Sequence, residues 1–404
     1  MANHERAGRR AVRPNHRATN DTPVNAMTRT DRIALPSPAP GSDRHLLVHR
    51  FGTPGARPKV WLQAALHADE LPGVLVLHHL SARLAEADRA GTVTGEIALV
   101  PFANPIGLAQ QVGGKLVGRY ALDGAGNFNR GFVELREALA DAVKDRLGGD
   151  AAANIALIRS EAARLLDERK ALEESEVLKL ILQRQAVDAD IALDLHCDVQ
   201  STLHLYVGPQ QADSFLDLAA RLGAAAVLTA ADSGDVPFDE CLSRPWWHLA
   251  QTYPGKPIPP DACLACTIEL RGEADIDDAT AARDAAALFD WLQGRRAIAG
   301  TPPPAPPAAC RATPLEGVDV VKVPAAGLWL PSVAPGALVA PDDVVGTVLD
   351  PARPPDAART LLRTRVAGVL FACVGPCLVK SGDRVAKVAG IEPLPDRKGK
   401  LLGD

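Results

Sequence analysis

Methionine is nearly absent from this chain of 404 residues, which has only Met1 and Met27. Recognisable patterning starts soon after Met27, so residues 1–30 are expected to be a disordered extension, and a start at Met1 or at Met27 stays open. That Arg-rich extension lacks the apolar core of a signal peptide, and Arg9-Arg10 is not followed by a hydrophobic region, so export is not expected. No apolar stretch approaches the length of a membrane span. Neither sign of charge dominates: 44 Lys and Arg stand against 49 Asp and Glu, a net charge of −5, with no basic footprint for nucleic acid. The seven cysteines are an odd number in a chain too large to need stapling, which reads as a reducing cytoplasm. The spacings of Cys263-x-x-Cys266 and Cys373-x-x-x-Cys377 are loose for a thiolate zinc site. The first pair lies within a strand and points to opposite faces, as small buried hydrophobes do.

What is present is an ordinary globular composition, 47% hydrophobic and long enough for two domains. The chain is organised around Leu66-His67-Ala68-Asp69-Glu70, which follows the apolar run Val60–Ala65. The run reads as a buried strand, and the segment from Leu71, with Pro72 in its first turn, reads as a helix. His67 and Glu70 then lie on the turn leaving a strand, where open α/β sheets place ligands. Imidazole and carboxylate three residues apart both reach one ion, and this pair suits Zn²⁺. A second buried run, Ile191–Asp198, carries His196 at its end and completes a His/Glu/His set, the ligand count of a catalytic zinc site. A third run, Cys263–Leu270, carries one carboxylate among apolar residues. Burying an unpaired Glu is costly, so Glu269 is expected to face a cavity or a cation and to act as general base on a metal-bound water.

Four motifs occur in a shared order: His67-x-x-Glu70, Asn127-Phe128-Asn129-Arg130, Asp194-Leu195-His196 and Thr267-Ile268-Glu269-Leu270. In this the chain, from about Val60 onward, resembles the succinylglutamate desuccinylase/aspartoacylase family of zinc-dependent deacylases. The resemblance implies a zinc-carboxypeptidase-like α/β fold, with a mixed sheet and helices on both faces. It implies one Zn²⁺ on His67, Glu70 and His196, with Glu269 as the base. It further implies that Arg119, Asn127, Asn129 and Arg130 hold the scissile carbonyl and a substrate carboxylate. Asp194 is either an outer group near the metal or a plain strand-end residue. Arg271, where relatives usually have a small residue, contacts substrate or pairs with Glu273.

The rest of the chain supplies the frame. Glu96–Phe102 reads as a strand ending at the Asn104-Pro105 turn, and His78 and His79 as packing or surface residues of the first helix. Gln110–Phe132 reads as an ordered Gly-rich loop, Glu134–Ala186 as two helices broken at Gly148-Gly149, and the stripe of the second packs on the sheet or on another subunit. A strand over Thr202–Val207 has His204 either in the core or at the mouth of the site. A helix over Ala212–Leu222 precedes a loop-rich segment, Asp232–Pro260, whose acidic residues either select an amine-bearing substrate or form a solvated surface. A last helix runs over Asp277–Arg295. The catalytic domain is expected over 31–300, a Pro-rich linker over 301–310, and an all-β barrel-sandwich over 311–404 built from two similar strand-turn-strand segments. The expected function is deacylation of a small N-acyl amino acid, with no nucleic-acid or membrane partner. A zinc carboxypeptidase and a catalytically silent binding protein are the alternatives.

Overall fold

The computed structural model describes residues 29–402. Most of the expected N-terminal extension lies outside the described residues. Strands β1 (Arg29–Ala34), β2 (His45–Gly52) and β3 (Lys59–Ala64) lead into helix α1 (Pro72–Arg89) and strand β4 (Glu96–Val100). The Gly-rich loop holds two small hairpins, β5 (Gln111–Val112) with β6 (Lys115–Leu116) and β7 (Tyr120–Ala121) with β8 (Gly126–Asn127). Helices α2 (Arg136–Val143), α3 (Ala151–Asp167) and α4 (Glu174–Ala186) follow. Next come β9 (Ile191–Asp198), β10 (Gln200–Ser201), β11 (His204–Val207), α5 (Ala212–Leu222) and β12 (Ala226–Thr229). Helix α6 (Phe238–Thr252), strand β13 (Leu264–Gly272) and helix α7 (Asp278–Gly294) complete this part.

Alternation along the strands decides the layers. In β3, Val60 and Leu62 enter one apolar core while Trp61 enters the other, and β9 and β13 divide their residues in the same way. The first core is closed by α1, α5 and α7, the second by α2, α3, α4 and α6, so helices cover both faces. The sheet runs β1-β2-β4-β3-β9-β13-β11-β12-β14, with β14 at Ala312–Pro314. Its centre, β4-β3-β9-β13, is parallel, while β1, β2 and β11 bring antiparallel pairs, which makes the sheet mixed. Parallel β3, β9 and β13 end side by side, so His67, His196 and Glu269 emerge at one edge. Cys263 and Cys266 fall into different cores, as the strand alternation predicts.

Two helical expectations need correction. The segment expected to be loop-rich contains α6, whose Phe238, Cys241, Leu242, Trp246 and Leu249 recur at helical spacing and are all buried. Burial of that stripe outweighs the interior Pro245, which costs a helix about 3 kcal/mol. Glu134–Ala186 forms three helices rather than two. A break after Asp167 lets Ile158, Ala162 and Leu166 of α3, and Leu178, Ile181 and Leu182 of α4, enter the same core. Nothing in the local composition marks that reversal.

The C-terminal part is all β: β15 (Val318–Lys322), β16 (Gly327–Pro331), β17 (Leu338–Val339), β18 (Val344–Leu349), β19 (Arg359–Arg363), β20 (Gly368–Cys373), β21 (Cys377–Val379) and β22 (Arg384–Ala389). One sheet is ordered β10-β20-β22-β15, with β17 also on β20, and the other β19-β18-β16-β21. They share a core around Trp329, Val348, Leu370 and Val388. The pairings do not close into the expected barrel. The outer edge of β20 is taken at one end by β17 and at the other by β10, a strand of the α/β part, so the sheet is continued across the boundary instead of closing.

The turn carrying His67 is held by close backbone approach. Ala65 has φ 54°, a left-handed conformation that costs a non-glycine residue on the order of 1 kcal/mol. Burial of Leu66 and hydrogen bonds from Ala68 N to Gly118 O (3.0 Å) and from Asn104 Nδ2 to Leu66 O (2.9 Å) offset it. Gly118 must be glycine here, since a Cβ would lie 2.5 Å from Ala68 Cβ and 2.7 Å from Asp69 N. Gly118→Ala is therefore expected to destabilise the fold by about 1–3 kcal/mol, the usual scale of overpacking. Gly148→Ala, whose Cβ would meet nothing within 4 Å, should leave the thermal midpoint nearly unchanged. Equal midpoints for the two variants would refute the packing argument.

Candidate active site

Three buried side chains converge at the sheet edge. His67 and Glu70 come from the turn after β3 and His196 from the end of β9; one donor atom of each lies within 4.8 Å of the others. Glu70 sits between the rings, with Oε1 2.8 Å from His67 Nδ1 and Oε2 2.7 Å from His196 Nδ1. The outward nitrogens face oxygens. His67 Nε2 is 2.8 Å from Asn127 Oδ1, and His196 Nε2 is 2.9 Å from Asp194 Oδ2. With Asn127 and Asp194 accepting from the Nε2–H groups, each Nδ1 can serve a metal shared with Glu70. This donor set fits a divalent metal, and two imidazoles with one carboxylate suit Zn²⁺.

A buried polar chain fixes these rings. Trp61 Nε1 donates to Gln63 Oε1 (2.9 Å), and Gln63 Nε2 to Asp194 Oδ1 (3.1 Å). Trp61, Gln63, Asp194 and His196 share a sheet face because each strand alternates. The structure thus puts Asp194 directly against His196. Asn127 and Asn129 also touch the imidazoles: Asn127 Oδ1 accepts Asn129 N (2.8 Å), and Asn129 Nδ2 is 3.2 Å from His196 Nε2. Lys179 of α4, a residue the sequence did not single out, holds this loop by donating to Asn127 O (3.1 Å). Arg119 NH1 donates to Glu70 Oε1 (2.8 Å), and about half of its side chain remains exposed.

Electrostatics separate the carboxylates. Burial pushes Glu70 up, but the two imidazoles overcome it and hold the carboxyl well below its ordinary range. Burial lowers His67. His196 is driven the other way: burial lowers it, while Asp194 and Glu70 together raise it well above 6.5. Glu269, opposite His196 in the strand register, is pushed up to about 8 by burial and then by Glu70. Its Oε2 is buried and has no hydrogen-bond partner among the described residues. A cation bound nearby acts in the opposite direction and favours the charged form.

His67, Arg119, Asn129, Arg130, His196 and Glu269 line a cavity of about 470 Å³. Arg130 reaches it with its guanidinium engaged: NH1 donates to Asn129 O (2.7 Å) and NH2 to Leu402 O (2.8 Å), while the buried Nε has no partner among the described residues. The β-rich part supplies another wall, with Val320, Phe371, Lys387 and Leu402. Lys387 Nζ lies 2.5 Å from Asp198 Oδ2. Asp198 was legible as the residue two after His196 on the same strand face. Lys387 had no signal, being one lysine in an unremarked strand. Arg271 pairs with Asp284 of α7 (2.7 and 3.1 Å), not with Glu273. His204 is fully buried, with Nδ1 2.8 Å from Thr202 O and its ring against Phe371, so it belongs to the core. His79 pairs at the surface with Asp278.

Known proteins match this arrangement. Residues 56–295 match the model of the succinylglutamate desuccinylase/aspartoacylase catalytic domain. No curated protein matches the chain. Among solved structures, a succinylglutamate desuccinylase/aspartoacylase family protein of Shewanella amazonensis superposes with TM-score 0.79 at 26% identity, over 89% of this chain and 98% of that one. A protein of Shewanella frigidimarina similarly described gives 0.81 at 24% identity, over 91% and 98%. The product-bound ectoine utilization protein EutE (DoeB) of Ruegeria pomeroyi gives 0.64 at 20% identity, over 92% and 98%, and shares the fold. With more than half of its length matched by the family model and its His-Glu-His cluster assembled at the strand ends, this chain belongs to the succinylglutamate desuccinylase/aspartoacylase family.

Proposed function

We propose that this chain is a zinc-dependent deacylase that hydrolyses the amide bond of a small N-acyl amino acid or related compound, on a zinc-carboxypeptidase-like scaffold. The observation that carries it is the meeting of His67, Glu70 and His196 beside a cavity that Glu269, with its buried and unpartnered Oε2, also lines. One Zn²⁺ per chain, held by those three residues, supplies Lewis acidity toward the acyl carbonyl and lowers the pKa of its water. Glu269 accepts the proton from the attacking water and returns it to the leaving amine. Arg119 keeps half of its side chain exposed at the cavity and offers its free N–H groups to the developing oxyanion. Asn127, Asn129 and Asp194 hold the two imidazoles in register. Arg130, on the cavity lining and supported by Asn129, holds the substrate carboxylate.

The peptidase alternative uses the same ligands. The wall contributed by the β-rich part supports the small substrate, since it bounds the space beside the site as a cavity of about 470 Å³. Seven free cysteines are in keeping with a reducing cytoplasm. No helix among the described residues is long and apolar enough to cross a membrane.

His196→Ala is expected to lose bound zinc and turnover together while keeping its far-ultraviolet circular dichroism, because an open catalytic site contributes less to folding than a closed structural one. Metal analysis finding full zinc in that variant would remove His196 from the ligand set. Glu269→Gln should lower kcat by on the order of a hundredfold or more with KM little changed; a wild-type kcat would rule Glu269 out as base. Arg130→Ala should impair substrates with a free carboxylate much more than their amides, measured as kcat/KM on matched pairs. Equal losses would mean that Arg130 does not read the carboxylate.

A further inference from the structure

Asp239 is the second residue of α6, and it is only 7% exposed although it lines the active-site cavity. Its position is fixed from the metal site outward. The preceding residue, Phe238, donates its N–H to Asn129 Oδ1 (2.9 Å), and Asn129 Nδ2 reaches His196 Nε2 (3.2 Å). One hydrogen bond and the packing of the Asn129 amide against His196 therefore set the first turn of α6 beside a ligand imidazole.

The neighbouring carboxylate is satisfied and Asp239 is not. Glu240 accepts Ser233 N (2.9 Å) and Arg244 NH1 (3.1 Å), and Arg244 also binds Asp232 (2.6 Å). The Asp239 carboxylate has no side-chain partner among the described residues, only the backbone N–H of Glu240. Arg130 favours the charged Asp239 only through space: its guanidinium is committed to two carbonyl oxygens and makes no ion pair with it. Burial and then Glu240 push the Asp239 carboxyl up to about 7. A carboxylate in the first turn gains from the helix dipole, but that gain is smaller than the cost of burying an uncompensated charge. Buried charges are kept when something pairs with them, and here the open side is the cavity.

We infer that Asp239 is a specificity-determining residue that receives an ammonium group, so that the substrate is an N-acyl compound carrying a second, free amine. The inference rests on the deacylase reading for the identity of the acyl bond, but the ammonium site stands on its own geometry. The cavity then matches a zwitterion: Asp239 takes the cationic end, and Arg130 on the same lining takes a carboxylate. A volume of about 470 Å³ accommodates a small acylated diamino acid.

Binding and turnover test the two readings separately. The zinc-loaded wild type and Asp239→Asn are titrated calorimetrically with ornithine and with norvaline, which differ by the terminal ammonium. Wild type should favour ornithine by about tenfold or more, the usual worth of a charge-assisted hydrogen bond. Asp239→Asn should level that preference by weakening ornithine, and Asp239→Glu should restore part of it. Equal affinities in the wild type, no ornithine binding, or an undiminished preference in Asp239→Asn each overturn the assignment; the wild-type comparison serves even if a variant fails to fold. The kcat/KM values of Nα-acetyl-ornithine and Nα-acetyl-norvaline are then compared. Selective binding of ornithine without hydrolysis of any N-acyl amino acid overturns the deacylase reading alone. Equal hydrolysis of both acetyl compounds overturns the Asp239 assignment alone.

Discussion

The Glu70 carboxylate, 3% exposed and gripped between two imidazoles, is the constraint around which this molecule is arranged. An isolated ion at such a depth loses several kcal/mol of hydration, so it persists only with compensating partners on every side. Those partners arrive from distant parts of the chain: His67 from its own turn, His196 and the Cys197 N–H (3.2 Å) from β9, and Arg119 from the Gly-rich loop. The left-handed Ala65 and the tight approach of Gly118 are tolerated because they bring the turn and the loop to that carboxylate.

Around it the cavity separates its charges. Glu70 is held ionised, Glu269 and Asp239 are pushed toward neutrality by burial, and Lys387 is raised, against the effect of its own burial, by Asp198. Groups pushed in opposite directions within one enclosure are the usual mark of a chemical site. The spread follows from placement. The imidazoles outweigh burial at Glu70, whereas burial outweighs the cationic neighbours at Glu269 and Asp239.

The sheet and the ligands were legible in the sequence for one reason: buried parallel strands write themselves as continuous apolar runs, so a polar residue at the end of such a run stands out. His196, Asp194 and Glu269 could all be found that way. Helix α6 was hidden because Pro245 interrupts a pattern that only tertiary burial rescues. The break between α3 and α4 carries no glycine or proline and follows from the shared core alone. Lys387 and Leu402 were invisible because their role comes from pairing with residues 189 and 272 positions away, and sequence periodicity reports only near neighbours. Asp239 appeared in the acidic cluster of its segment, but burial alone separates it from the solvated Asp232 and Asp235.

The two-residue strand β10 changes what the Pro-rich linker has to do. It follows β9 within a few residues and pairs with β20, while β14, beyond the linker, pairs with β12 of the large sheet. The two parts are therefore stitched through hydrogen-bonded strands and the Asp198–Lys387 ion pair as well as through the covalent connection. A tether that carries no load is free to vary in length and composition. A chain nicked between Pro302 and Pro307 would stay together as a two-fragment assembly, its cavity wall still in place. The β-rich part is in that sense masonry, not a hinged door.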